Sequence, residues 1–142
     1  MTTSPTGLYG NFGQTNYGAA KLAQVGFMNS LKIEGAKNNI HTNTIAPIAA
    51  TRMTESLIPE AVHSKLAPES VTPAALFLVS EEAPNGVIMQ AEGGRFSVAS
   101  IVENTGAQLG VDATPEDIAS NYDMISDLEG AKPKGMMQIN LP

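Results

Sequence analysis

The longest stretch in which apolar side chains recur at helical spacing is 15–37, and it does not resolve into a single stripe. Ala20, Ala23, Phe27 and Leu31 mark one face, while Leu22, Val25, Met28 and Ile33 spread over others. A helix that is apolar on several sides is buried on several sides. Gly18, Ala19 and Gly26 would let a neighbour approach closely. The pattern predicts a helix capped by Thr15 or Asn16 and running to about Asn38. It should pack on a sheet and also on another chain.

The remaining pattern is choppier. Residues 5–14 hold three glycines and a proline and read as a loop. Ile40–Ala46 is a β-leaning run that stops at Pro47. Thr51–Leu57 and Ala61–Leu66 read as short helical turns on either side of Pro59. Thr72-Pro73 opens a further helix with Thr72 as cap, extending through Glu82. Pro84-Asn85-Gly86 is a turn, and Val87–Gln90 a strand. Helix and strand in alternation imply a parallel sheet with right-handed crossovers. Composition shifts near Gly93, and 97–109 fits strand or helix equally. Thr114-Pro115-Glu116-Asp117 is a helix start, projected to Leu128. The tail from Gly130 to Pro142 reads as loose. This divides the chain into 1–97 and a C-terminal extension, 98–142.

Bulk properties narrow the function classes. The 142 residues suit one domain, and 42% hydrophobic with 15% charged residues is a globular composition. A net charge of −6 argues against a nucleic-acid partner, which needs a basic stripe. With no cysteine there are no disulfides, thiolate nucleophiles or Cys-ligated zinc. No apolar run approaches the roughly 20 residues of a membrane span, and the first residues lack a signal-peptide pattern. The expected setting is cytoplasmic. His41 and His63 have no ligand-like spacing around them and read as structural or solvated. Glu116, Asp117, Asp123 and Asp127 read as a solvated helix face, and Met136 and Met137 as cover for a local apolar patch.

One group of residues carries chemistry. Tyr17 and Lys21 lie four apart, on one face of the predicted helix, and Ser4 precedes Tyr17 by thirteen residues. A phenol ordinarily titrates near about 10, and an adjacent positive charge favours its ionised form. Such a pair can exchange a proton with an alcohol or carbonyl. A hydroxyl close by could orient the oxygen.

These residues, followed by Asn43-Thr-Ile-Ala-Pro47 at a strand end, resemble the short-chain dehydrogenase/reductase family. The strings Tyr9-Gly-Asn-Phe-Gly-Gln-Thr-Asn-Tyr-Gly-Ala-Ala-Lys21, Ile33-Glu-Gly35 and Asn39-Ile-His41 are similar to the 3-hydroxyacyl-CoA dehydrogenase domain of peroxisomal multifunctional enzyme type 2 and its bacterial relatives. The resemblance is dense over residues 1–94 and thin beyond. It implies an α/β fold, the C-terminal half of a Rossmann-type doubly wound parallel sheet, and oxidation of 3-hydroxyacyl-CoA to 3-ketoacyl-CoA. By resemblance, Tyr17 is the general acid/base and also a cofactor-binding residue. Lys21 assists it and also bonds the nicotinamide ribose, and Ser4 donates to the substrate oxygen. Pro47, Ile48 and Thr51 match the segment lining the nicotinamide carboxamide, with Ile48 where the family commonly has glycine. The cofactor implied is NAD or NADP. The preference is not legible, because the family's Gly-rich phosphate loop is not found in this chain. Gly7, Gly10 and Gly13 follow no strand and are not that fingerprint.

Three readings stay open on this basis: 3-hydroxyacyl-CoA dehydrogenase, another family activity such as ketoacyl reductase or hydroxysteroid dehydrogenase, and a non-catalytic oligomerisation fragment. The resemblance also implies a homo-oligomer formed through the Tyr17-bearing helix, in agreement with its several apolar sides.

Overall fold

The computed structural model describes residues 1–54 and 58–137. The chain divides into two compact units, Met1–Ala99 and Ser100–Pro142.

The first unit is built on a three-stranded sheet ordered β1-β2-β3, comprising β1 (Thr44–Ile48), β2 (Ile88–Glu92) and β3 (Arg95–Ala99). β1 and β2 are parallel, with Thr44 opposite Ile88 and Ile48 opposite Glu92. This is the crossover expected of an α/β chain. β3, whose last three residues fall in the stretch 97–109 that fitted strand or helix, returns antiparallel to β2. Its hairpin turn is Gly93-Gly94, with φ of +51° and +83°, the two positive values a two-residue turn of this hand demands. The free side of β1 is met by the first residues. The Thr3 amide donates to Ile45 O at 2.8 Å, and the Ile45 amide to Met1 O at 2.9 Å.

Helix α1 spans Pro5–Tyr9, and α2 spans Thr15–Ala36. The expected loop at 5–14 is therefore half helix. Ser4-Pro5 is a cap followed by proline, the same start signal read at Thr114-Pro115. The glycines hid it. Gly7 lowers helix propensity, but it is there because α2 comes too close for a side chain. α2 starts without the side-chain cap expected at Thr15 or Asn16. Its N-cap is Gln14, and Asn16 accepts instead from the adjacent Tyr17 amide at 2.8 Å. Its buried residues are Val25, Met28 and Gly35, and Val25 and Met28 join Ile88 in the core. Leu22, Phe27 and Ile33 point to solvent, Phe27 at 59% exposure. One side of α2 thus meets the sheet, and a second apolar side is uncovered.

Side-chain bonds seat β1 beside β2. Asn43 donates to Pro84 O at 2.6 Å and accepts from the Val87 amide at 2.9 Å. Asn85 accepts from the Thr42 amide at 2.9 Å and donates to Lys32 O at 3.1 Å. His41 Nδ1 meets Ala83 O at 3.1 Å, a structural role.

The crossover between β1 and β2 holds the 3-10 turns Glu60–Leu66 and Pro68–Val71, then α3 (Thr72–Phe77). Thr72 does not cap α3. The 3-10 turn runs directly into the helix, so Thr72 already has helical φ and ψ. α3 also stops at Phe77, and the chain turns through 78–83 instead of continuing to Glu82. The expected helical turn at Thr51–Leu57 lies partly outside the described residues.

In the second unit β4 (Val102–Glu103) pairs antiparallel with β5 (Lys132–Pro133), and Lys134 bridges Glu103 at 3.1 Å. Part of the supposedly loose tail is therefore tied down. α4 (Pro115–Ser120) begins with a capping box between Thr114 and Asp117. The projected helix to Leu128 breaks at Asn121, whose φ of −109° leaves helical geometry. Its side-chain Nδ2 donates to the Asp117 carbonyl at 2.8 Å, and α5 (Tyr122–Ser126) follows.

Candidate functional site

The site forms where α1 lies against the first turns of α2. Ser4 is the N-cap of α1. Its Oγ accepts from the Thr6 amide at 3.2 Å, and its carbonyl accepts from the Gly7 and Leu8 amides at 2.9 and 3.2 Å. The residue is only 9% exposed. Its hydroxyl is held by the cap as an acceptor, which leaves the proton available to donate.

Tyr17 and Lys21 share a face of α2, as their spacing predicts. The Lys21 ammonium stands 5.6 Å from the Tyr17 ring centroid, within cation–π range. Tyr17 is 42% exposed, so its ring is open to a ligand. Lys21 Nζ donates to Thr2 O at 3.1 Å. An ammonium has three donors, so two remain for a bound hydroxyl or phenol.

The α1–α2 contact is backbone on backbone. A Cβ on Gly7 would lie 2.8 Å from Leu22 N and 2.9 Å from both Lys21 C and Lys21 Cβ. A Cβ on Gly18 would lie 3.3 Å from Thr6 O. Thr3, buried at 1% exposure, donates from Oγ1 to Lys21 O at 2.6 Å. Sequence reading picked out neither Thr3 nor Gly7. A glycine three residues after a serine cap is the one signal that pointed to such a close approach. Gln14 closes the loop between the helices, accepting from Thr6 Oγ1 at 2.9 Å and Asn11 Nδ2 at 3.0 Å.

Pro47 and Ile48 lie half-buried at the C-terminal end of β1, opposite Ala91 and Glu92. Thr51 follows, exposed, and organises a tight turn. Its amide donates to Thr54 Oγ1 at 2.8 Å, and its own Oγ1 accepts from the Met53 amide at 3.3 Å. Thr51, Arg52, His63 and Ser64 help line a cavity of about 420 Å³. His63 Nε2 meets Ile58 O at 2.8 Å, which fixes the ring as a wall of that cavity. Among the described residues no three acids, histidines or cysteines cluster as a metal site, and no helix is long and apolar enough to cross a membrane.

Residues 1–61 match the family model for short chain dehydrogenase. A short-chain type dehydrogenase/reductase of Mycobacterium tuberculosis is 48% identical over 136 residues, covering 95% of this chain and 48% of that protein. Peroxisomal multifunctional enzyme type 2 of Mus musculus is 43% identical over 143 residues, covering 97% of this chain and 20% of that protein. The full-length peroxisomal multifunctional enzyme type 2 of Drosophila melanogaster has a similar structure, with a TM-score of 0.82 and 33% identity over 96% of this chain and 25% of that one. The chain therefore spans about half, or less, of the length of these relatives.

Proposed function

We propose, for a chain that belongs to the short-chain dehydrogenase family, that it oxidises a secondary alcohol with NAD or NADP, and that the alcohol is a 3-hydroxyacyl-CoA. The observation that carries this reading is the Lys21 ammonium 5.6 Å from the Tyr17 ring, on a helix that abuts the one Ser4 caps. The donor set fits the nicotinamide end of such a cofactor: an ammonium with two uncommitted donors, an exposed phenol and a capped hydroxyl. When bound, the cofactor would supply the acceptor for the hydride that leaves the carbinol carbon.

The chain's own residues handle the proton. Tyr17 Oη is the base that takes the hydroxyl proton as the C–H bond breaks. Lys21, its ammonium 5.6 Å from the Tyr17 ring, would give a donor to the cofactor ribose. Ser4 Oγ–H donates to the substrate oxygen and keeps it within reach of Tyr17. By the family resemblance, Pro47, Ile48 and Thr51 would border the carboxamide side. The acyl-CoA assignment rests on the string Tyr9–Lys21, whose resemblance implies that substrate class. The uncovered side of α2, with Leu22, Phe27 and Ile33, supports a homo-oligomer joined through that helix.

Calorimetric titration with NAD and with NADP tests the reading first, followed by turnover of 3-hydroxybutyryl-CoA read as reduced cofactor. Tyr17→Phe should lower kcat by at least about a hundredfold while leaving the fold intact. No heat from either cofactor at millimolar concentration would sink the proposal for this chain, as would full turnover in the phenylalanine variant.

A further inference from the structure

We propose that Thr3 and Gly7 are positioning residues that set the place of Lys21 beside Tyr17 and Ser4. The inference rests on the reading of those three as the working groups.

Three attachments converge on Lys21. Its carbonyl accepts from Thr3 Oγ1 at 2.6 Å, its ammonium donates to Thr2 O at 3.1 Å, and Gly7 leaves no gap for a side chain against its carbonyl carbon and Cβ. A helix-interior carbonyl ordinarily has its intrahelical donor, so the Thr3 bond is not needed to complete the helix. Thr3 is itself fixed, because its amide donates to Ile45 O in the sheet. The chain thus runs from the β1 edge at Thr3, through Ser4, to Gly7, and touches Lys21 at both ends of that short span. Ser4 lies between the two contact points, so its distance from the ammonium is set by them. The atoms that a Gly7 side chain would meet at 2.8–2.9 Å are backbone or Cβ and cannot swing aside. Any substitution there must drive α1 and α2 apart by several tenths of an ångström, on the scale at which catalytic geometry fails.

Two variants and one control read this out. Gly7→Ala and Thr3→Val should each lower kcat between about tenfold and a hundredfold with KM nearly unchanged, and Thr3→Ser should restore kcat. A second readout is independent of turnover. The chain has three tyrosines, so 3-fluorotyrosine labelling gives few fluorine resonances, and Tyr17→Phe identifies that of Tyr17. This resonance should move in Gly7→Ala and Thr3→Val and return in Thr3→Ser. If Gly7→Ala does not fold, the threonine pair decides alone. A Tyr17 resonance that stays in place in Thr3→Val, or turnover there equal to that of an active wild type, overturns the proposal. A wild-type chain that turns over no alcohol while the resonance moves as expected defeats the proposed activity and leaves the clamp standing.

Discussion

Removing the Asn43 side chain should cost the first unit more than any exposed substitution would. Asn43 is buried and supplies both partners of a bridge, donating to Pro84 O at 2.6 Å and accepting from the Val87 amide at 2.9 Å. Asn43→Ala leaves a carbonyl and an amide unmet beside the start of β2. Both groups are half-buried, so each sits at the low end of about 1–3 kcal/mol, and the variant should lose about 2–3 kcal/mol. For a unit of this size that corresponds to a fall in Tm of roughly 10–25 °C. Asn43→Asp sharpens the test. It keeps the acceptor toward Val87 and puts an oxygen where the donor to Pro84 stood. Only the protonated carboxyl can restore that bond, so the folded state raises its pKa above the unfolded value of about 3.9. The restored stability is fully present below the unfolded pKa and is lost as pH rises through the folded one. Thermal unfolding followed by circular dichroism should therefore show the Asp variant's Tm deficit widening as pH rises above about 4. An Ala variant melting within about 3 °C of wild type, or an Asp deficit that ignores pH, would refute the bridge.

Three further outcomes follow from the geometry. Asp117 is held below its ordinary carboxyl value of 3.8, first by the Thr114 backbone amide and then by the Thr114 hydroxyl. Its contribution to the α4 cap is present above the unfolded pKa and lost as pH falls through the depressed one; carbon NMR of the Asp117 carboxyl should titrate below 3.8, and Thr114→Val should bring it back toward that value. Gly94, at φ +83°, has open space around it, so only backbone strain opposes substitution. Gly94→Asn should be nearly neutral and Gly94→Val should cost about 1–2 kcal/mol by chemical denaturation. Phe27→Glu should lower the mass of the species seen by sedimentation equilibrium without lowering its helix content, and an unchanged mass would remove Phe27 from any subunit contact.

The long helix and the Tyr17–Lys21 pair were legible because both depend on a spacing within a single element. So was the Thr114 cap, whose partners are three residues apart. The hairpin Glu92-Gly-Gly-Arg95 was equally local. Its turn signal was present, and only the ambiguous stretch after it obscured the strand. Ser4 was identifiable as a type of residue but not as the cap of α1, because Gly7 argues for a loop by propensity. The reason for Gly7 lies in α2, which a local reading does not consult. Thr3 was invisible for a related cause. Its hydroxyl bonds a backbone carbonyl, and backbone acceptors leave no trace in a sequence. The Asn43 and Asn85 bridges likewise join segments far apart along the chain.

The parallel pairing of β1 with β2 has a kinetic consequence. β2 and β3 meet across two glycines, and such a hairpin closes in microseconds. α1 and α2 are close neighbours in sequence and can dock as quickly. Thr44 finds Ile88 only after the whole crossover has been gathered in, and that loop-closure entropy is spent before any ladder bond repays it. By this topology, the joining of two locally formed halves is the step expected to limit the folding rate. Until it occurs, β2 presents a bare edge to solution, and the competition between crossover closure and association with other chains is decided there.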